Sequence, residues 1–299
     1  MLLFKELNML KDKIEPFYNK NYKLLMLIPI TALILSLSYL VYFYNQNGDI
    51  LNKDISLKGG ISATIYTDKD INLDELSSKL NGASVRKLAD LTSGKKLGII
   101  IETDQTDSEK LKQELESYLG IQLNEENYSV EQTSSSLGSS FYKELLIALF
   151  FSFLFMSIVV LITFRSIAPS MAVIFAAFTD IVITLAIVDF IGMKVSAAGI
   201  IGFLLIIGYS IDTDMLLTSR AIKRTEGSLF ERMYSSMKTG MTMIGTAITA
   251  LLIGYILTTS PVLKEIFIIV IIASVVDIFS TYFTNSGIIK IYCDRKGIK

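Results

Sequence analysis

The sequence predicts an α-helical polytopic membrane protein of six transmembrane helices, with an α+β domain inserted between the first helix and the second. Three observations predict it. Six apolar segments each approach the roughly 20 residues that a spanning helix requires. One long polar stretch, 45–143, separates the first segment from the rest and carries strand and helix periodicities of its own. Lysine and arginine collect in alternate connections, as the positive-inside bias asks of a six-span chain.

The chain has 299 residues, 51% of them hydrophobic. That share is too apolar for an ordinary soluble domain, and the excess sits in segments. A net charge of −1 argues against nucleic acid as a partner, because such binders carry a basic face. There is no histidine and a single cysteine, Cys293. Histidine-dependent triads and zinc centres are thereby excluded. No metal site and no cofactor is expected. Any proton path must run on carboxylates, hydroxyls, lysine or water.

The first apolar segment is about Leu24 to Tyr44. Its uncharged run is longer than the 7–15-residue core of a signal peptide, and no small-residue cleavage site follows. It reads as a retained helix. Residues 1–44 form the first unit with its preceding basic stretch, which holds Lys5, Lys11, Lys13, Lys20 and Lys23.

Residues 45–143 read as a folded domain. From Ile55 to Ile65, apolar residues alternate with Ser56, Lys58, Ser62 and Thr64, the period of a half-buried strand. Asn72 with Glu75 resembles a capping box, after which Leu73, Leu76 and Leu80 share a helical face. Val85–Ala89 and Leu97–Ile101 are strand-like around Thr92-Ser93-Gly94, a hairpin signal. Thr106 with Glu109 forms a second capping box before Leu111, Leu115, Tyr118 and Leu119. A short strand around Tyr128 and Val130 leads into Ser134–Ser140, which reads as a flexible linker. The order β-α-β-β-α-β is ferredoxin-like.

Residues 144–285 hold the other five spans, about Leu145–Phe164, Ile167–Ile191, Val195–Ser219, Thr239–Thr259 and Val262–Phe283. Arg165 lies in a tight turn. Arg220, Lys223, Arg224, Arg232 and Lys238 lie between the fourth and fifth spans, and Lys290, Arg295, Lys296 and Lys299 lie in the tail, 286–299. All fall on one side, so both termini are expected in the cytoplasm and the inserted domain outside.

Four carboxylates interrupt these spans: Asp180, Asp212, Asp214 and Asp277. A charged Asp at the bilayer centre costs about 2.5–3.5 kcal/mol on insertion scales. Such groups are expected to face a protein interior or a wet cavity, where they hold, pass or pair charge. The bland alternative, a polar contact between helices, stays open for any one of them. Asp180 has Thr184 one turn away on the same face. Asp212 and Asp214 point about 200° apart on a helix of 3.6 residues per turn, so they cannot share a groove. Asp212 is favoured, because it stacks one turn beyond Gly208. Gly199, Gly202 and Gly208 permit close helix approach and read as structural. Asp189 reads as a solvated cap, and Lys238 as a side chain snorkelling to the membrane edge.

The layout and several short motifs resemble the SecD/SecF family of protein-export membrane proteins, in its SecF type and archaeal branch, a family related to the resistance-nodulation-division transporters. Leu57-Lys58-Gly59-Gly60 resembles the family's aromatic-x-Gly-Gly element. Thr179-Asp180-Ile181-Val182-Ile183-Thr184 resembles its His-Asp-Val-Ile-Ile-Thr stretch. Gly208-Tyr209-Ser210-Ile211, followed by acidic residues and Arg220, resembles its Gly-Tyr-Ser-Leu-Asn-Asp stretch. Met237-Lys238-Thr239 resembles its Ser-Arg-Thr. Asp212-Thr213-Asp214 and Asp277 look like the archaeal branch. The resemblance implies a non-enzymatic translocase subunit of the cell membrane. The partners it implies are a SecD-like subunit, a SecY-type channel, translocating polypeptide and membrane lipids. It implies ion coupling through Asp180, Asp212, Asp214, Asp277 and Lys238. An export half-transporter for lipids or small molecules is the alternative. An intramembrane protease is a third reading, disfavoured because Asp180 and Asp212 lack the Tyr-Asp and Gly-x-Gly-Asp settings of that class.

Overall fold

A computed structural model of the chain describes residues 2–69, 71–80, 83–89, 96–105, 107–258 and 260–298. Helix α1 spans Leu2–Asn47, of which Ile14–Asn47 is apolar enough to cross a membrane. It starts well before the expected Leu24. The extension is held by the bundle: Tyr18 donates to Ser286 Oγ at 3.1 Å and its ring lies 5.8 Å from that of Phe230. Aromatic contacts of this kind contribute about 0.5–1.5 kcal/mol each beyond area burial.

The expected strand from Ile55 is divided. Ile55–Lys58 is a short helical turn, α2, and strand β1 begins at Gly60 and runs to Tyr66. Gly59 (φ 86°) and Gly60 (φ 124°) turn the chain between them. Alternation of Ile55 and Leu57 is therefore not sheet alternation; both side chains are buried in a helical turn.

Helix α3 (Leu73–Lys79) starts at Asn72, which accepts from the Glu75 backbone at 3.3 Å. Strands β2 (Ser84–Ala89) and β3 (Lys96–Thr103) follow. The Thr92-Ser93-Gly94 turn lies outside the described residues, as does Thr106. Asp107 caps α4 (Ser108–Leu119) by accepting from Glu109 and Lys110. Strand β4 is Tyr128–Thr133.

The sheet order is β2-β3-β1-β4, every pair antiparallel. Ile61, Ala63 and Ile65 of β1 and Ile99 and Ile101 of β3 bury one face against Leu76, Leu80, Leu111, Leu115 and Leu119. Replacing the fully buried Leu115 by Ala is expected to cost about 2–5 kcal/mol. Urea unfolding of a soluble 55–133 fragment measures it. An unchanged midpoint would mean that this core does not hold the sheet.

Ser134–Ser140 is not a linker. Ser134 caps helix α5 (Ser135–Phe164), and the Gly138 backbone packs on Leu57. A Cβ at Gly138 would stand 3.0 Å from the Leu57 carbonyl carbon. The boundaries expected at 44/45 and 143/144 thus fall inside α1 and α5, because each helix continues past the apolar segment that marks it in the sequence.

Helices α6 (Ile167–Phe190), α7 (Ala197–Lys223), α8 (Leu229–Leu257) and α9 (Pro261–Phe279) complete the bundle. A π-turn, Ser280–Asn285, carries α9 into α10 (Ser286–Lys296). The expected tail is thus a helix whose Ile289 and Cys293 are buried beside Leu217, Ala221, Leu229 and Met233. Among the described residues, five helices, α1, α5, α6, α7 and α8, are long and apolar enough to cross a membrane. About 61% of the apolar stretch of α6 is buried inside the protein and 6% of that of α5. So α6 and α7 form the centre, and α1, α5 and α8 turn apolar flanks outward.

The sheet is clamped to the bundle at the α6–α7 connection. The Asp54 amide donates to the Val195 carbonyl at 2.9 Å, and the Val195 amide to the Asn52 carbonyl at 2.7 Å. Lys194 and Arg86 both pair with the buried Glu102. Asp54 sits at this junction. Burial first, then the Glu102 charge, push its carboxyl above the usual range.

Candidate functional site: a buried carboxylate cluster

Asp180 on α6, Asp214 on α7 and Asp277 on α9 meet at the centre of the bundle. The first two are fully buried and Asp277 is 4% exposed. One oxygen from each lies within 4.8 Å of the others, close enough to share one positive charge. Among the described residues, no lysine or arginine pairs with them. Three uncompensated anions at that spacing repel strongly in a medium of low dielectric. Protonation or a bound cation must relieve them.

Hydroxyl and amide groups surround the three. Ser210 donates to Asp180 Oδ2 and Ser280 to Asp180 Oδ1. Thr213 Oγ1 lies 2.8 Å from Asp277 Oδ2. Thr281 Oγ1 lies 2.9 Å from Asp214 Oδ1 and 2.9 Å from Asp277 Oδ1. Asn285 Nδ2 donates to Asp214 Oδ1 at 2.7 Å. The π-turn supplies Ser280, Thr281 and Asn285 within one widened turn, a distortion that recurs at functional sites. Asp214 Oδ2 and Asn285 Oδ1 are buried without a hydrogen-bond partner.

The other residues singled out from the sequence separate from this cluster. Asp212 is exposed, so the preference for it over Asp214 is overturned. The reason is the Gly208 stripe itself. No atom comes within 4 Å of a Cβ built on Gly208, so that face packs against nothing within the chain. Asp212 stands instead in an open cleft of about 370 Å³ between α7, α8 and α9, which Thr213, Thr246, Ser274 and Asp277 also line. Gly199 and Gly202 do pack closely, against Glu265 and Ile269 of α9. Lys238 is exposed, its Nζ 5.6 Å from the Tyr234 ring centre. Asp189 is no solvated cap: it is 3% exposed and accepts from the Asn52 amide at 3.1 Å, tying the chain above α1 to the end of α6. Leu57 is buried, whereas the Lys58 ammonium pairs with Asp104 at 2.9 Å.

Sequence reasoning missed Ser210, Thr213, Ser280, Thr281 and Asn285. It also missed Glu265, which accepts from the Ser196 amide and hydroxyl at 2.7 Å each and ties α9 to the start of α7. The signal for the first group was present. Ser280-Thr281-Tyr282-Phe283-Thr284-Asn285 puts five groups able to hydrogen-bond at the end of an apolar segment. Thr281 stands one helical turn after Asp277.

The sequence profile of the family described as "Protein export membrane protein SecD/SecF, C-terminal" matches residues 113–295. The chain belongs to the SecD/SecF family. Within it, the chain is 36% identical to a SecF protein-export membrane protein of Methanocaldococcus jannaschii, over 91% of this chain and 96% of that one. It is 34% identical to the SecF of Methanothermobacter thermautotrophicus, over 92% and 94%. These SecD/SecF relatives are archaeal SecF proteins. Among solved structures, the fold matches SecDF, a translocon-associated membrane protein from Thermus thermophilus, with a TM-score of 0.72 at 16% identity. The match covers 92% of this chain but 38% of that one.

Proposed function

We propose that this chain is the SecF-type auxiliary subunit of a Sec protein translocase, and not an enzyme. It works in the cell membrane beside a SecD-like subunit and a SecY-type channel to promote export of polypeptides. Kinship with SecF relatives along almost their whole length supports the role. The SecD-like partner is supported by the part of the SecDF chain that this one leaves unmatched, which is longer than the part it matches. The open α7–α8–α9 flank is where such a half, and lipid around it, would pack.

Six spans follow if α9 with its π-turn is counted as the sixth. It is as apolar as the others, and what sets it apart is that it carries three charged residues, Lys264, Glu265 and Asp277, within its 19. Both termini then lie in the cytoplasm. The sheet order β2-β3-β1-β4 supports reading the outer unit as a ferredoxin-like domain, and in this reading it holds emerging polypeptide. Attack by an external reagent tests the orientation. A cysteine at the exposed Glu125 should react with a membrane-impermeant maleimide added to sealed cells, and one at the exposed Glu226 should not. Native Cys293 is buried and contributes little background. Labelling at Glu226 from outside would reverse the topology.

Asp180, Asp214 and Asp277 couple ion movement to this work. The single observation that carries the coupling is their meeting in the bundle without a basic partner among the described residues. A pulldown in mild detergent tests the assembly: a SecD-like chain should copurify, and its replacement by a lipid-export partner would favour the half-transporter instead.

A further inference from the structure

A hydroxyl group carries one hydrogen. Thr281 Oγ1 nevertheless stands 2.9 Å from a carboxyl oxygen of Asp214 and 2.9 Å from one of Asp277. It donates to one of them. The other contact is a hydrogen bond only if that carboxyl is protonated and donates to Thr281. Thr213 repeats the pattern. Its Oγ1 lies 2.8 Å from Asp277 Oδ2 and 2.9 Å from the Ser210 carbonyl, which only accepts. Both hydroxyls beside Asp277 therefore have a second acceptor within reach. At Asp180, Ser210 and Ser280 stand against separate carboxyl oxygens, and Ser280 also has the Asp277 carbonyl within 3.3 Å. Asp277 is the carboxyl of the three that both touches these two hydroxyls and lines the open cleft.

The cleft gives the relay its direction. Asp277, Thr213 and the exposed Asp212 line it, and Asp214 does not. A proton arriving from the cleft meets Asp277 and needs a bridge to reach Asp214.

We propose that Thr281, presented by the π-turn, is the relay hydroxyl that passes a proton between Asp277 and Asp214. The Asp277 Oδ1–H bond breaks as that proton bonds to Thr281 Oγ1. The original Thr281 O–H bond breaks as its proton bonds to Asp214 Oδ1. The negative charge moves from Asp214 to Asp277, and threonine is left a neutral hydroxyl. No redox partner is involved. The charged groups acting on the bridge are Asp180 from α6, Asp214 from α7 and Asp277 from α9, with Tyr282 and Arg220 on the same electrostatic network. Lys238 of α8 is exposed.

The relay rests on the coupling reading above, and infrared spectroscopy of the full chain in nanodiscs tests the two apart. After a pH jump, the protonated-carboxyl bands of Asp277 and Asp214, assigned with Asp277→Asn and Asp214→Asn, are followed in time. Thr281→Val should slow proton arrival at Asp214 by about a hundredfold, a general acid–base effect, with Asp277 still titrating. Thr281→Ser should restore the rate. Arrival at the wild-type rate in Thr281→Val overturns the relay while leaving coupling intact. Wild-type bands unchanged at every pH overturn the coupling itself. Should the valine variant fail to fold, the wild type supplies a second readout. Two protons move in the relay, so its rate should fall along a curve as deuterium replaces hydrogen, and a straight line would overturn it.

Discussion

Asp277→Asn and Asp214→Asn each abolish protein export, lowering it by about a hundredfold or more if proton transfer limits it, while yield and assembly with the partner subunit stay normal. Asparagine keeps the volume of aspartate, retains one acceptor oxygen, replaces the other with an NH2 donor and removes the ionisable group. Both side chains sit in a shell of hydroxyl and amide donors. The neutral amide costs less to bury than a carboxylate, so each variant should be as stable as the wild type or more so. This separates the two readings of the cluster. If the carboxylates only pack helices, asparagine serves as well and export continues. If they carry charge, export stops in a stable, assembled protein. Glu125→Gln is the internal control. It removes an exposed carboxylate of the outer unit, away from the cluster and the cleft, and should retain most activity. The measurement is secretion of a reporter in cells that carry each variant as the sole copy. Wild-type secretion by the Asp180→Asn, Asp214→Asn and Asp277→Asn variants alike would leave a purely structural accessory subunit.

Gly59→Ala is expected to be strongly disruptive for a single added methyl group. Gly59 has φ 86° and ψ 165°, an essentially glycine-only region that costs a residue with a Cβ about 1–3 kcal/mol. Its Cβ would also meet main-chain atoms of Ser135, the nitrogen at 2.6 Å. Backbone cannot swing aside as a long side chain can. Overpacking of this kind costs a further ~1–3 kcal/mol, giving about 2–6 kcal/mol in all. The strain falls where the chain from the bundle enters the sheet and α5 leaves it, so both units should feel it. Thermal unfolding in detergent should show a lower midpoint and a lower yield. Gly245→Ala on α8, where a Cβ meets nothing within 4 Å, is the neutral comparison. Equal midpoints for the two variants would mean that the Gly59–Ser135 junction can relax.

The apolar segments and the acidic residues within them were legible because both are properties of local sequence. A run of apolar residues marks a spanning helix wherever it packs, and an aspartate inside one is costly wherever it points. Ile61, Ala63 and Ile65 could be read as a strand face because a period of two survives in any antiparallel sheet. The same period misleads at Ile55 and Leu57, since two glycines change the backbone before the strand begins. The limits of α1 and α5 were misread for a related reason. Hydropathy ends where lipid ends, whereas a helix ends where its hydrogen bonds do.

What the sequence determined by itself is therefore the composition of the site: carboxylates on three separate apolar helices, in a chain without histidine. Which carboxylates belong together was decided by tertiary structure alone. Asp212 and Asp214 are two residues apart and chemically identical, and helical geometry says only that they diverge. Their environments differ because α9 and its π-turn bury one side of α7 and leave the other open. Thr281 and Asn285 reach Asp214 at 2.9 and 2.7 Å across 67 and 71 residues of chain. Nothing local in the sequence encodes that pairing, because the rotation of one helix against another follows from the packing of all its neighbours.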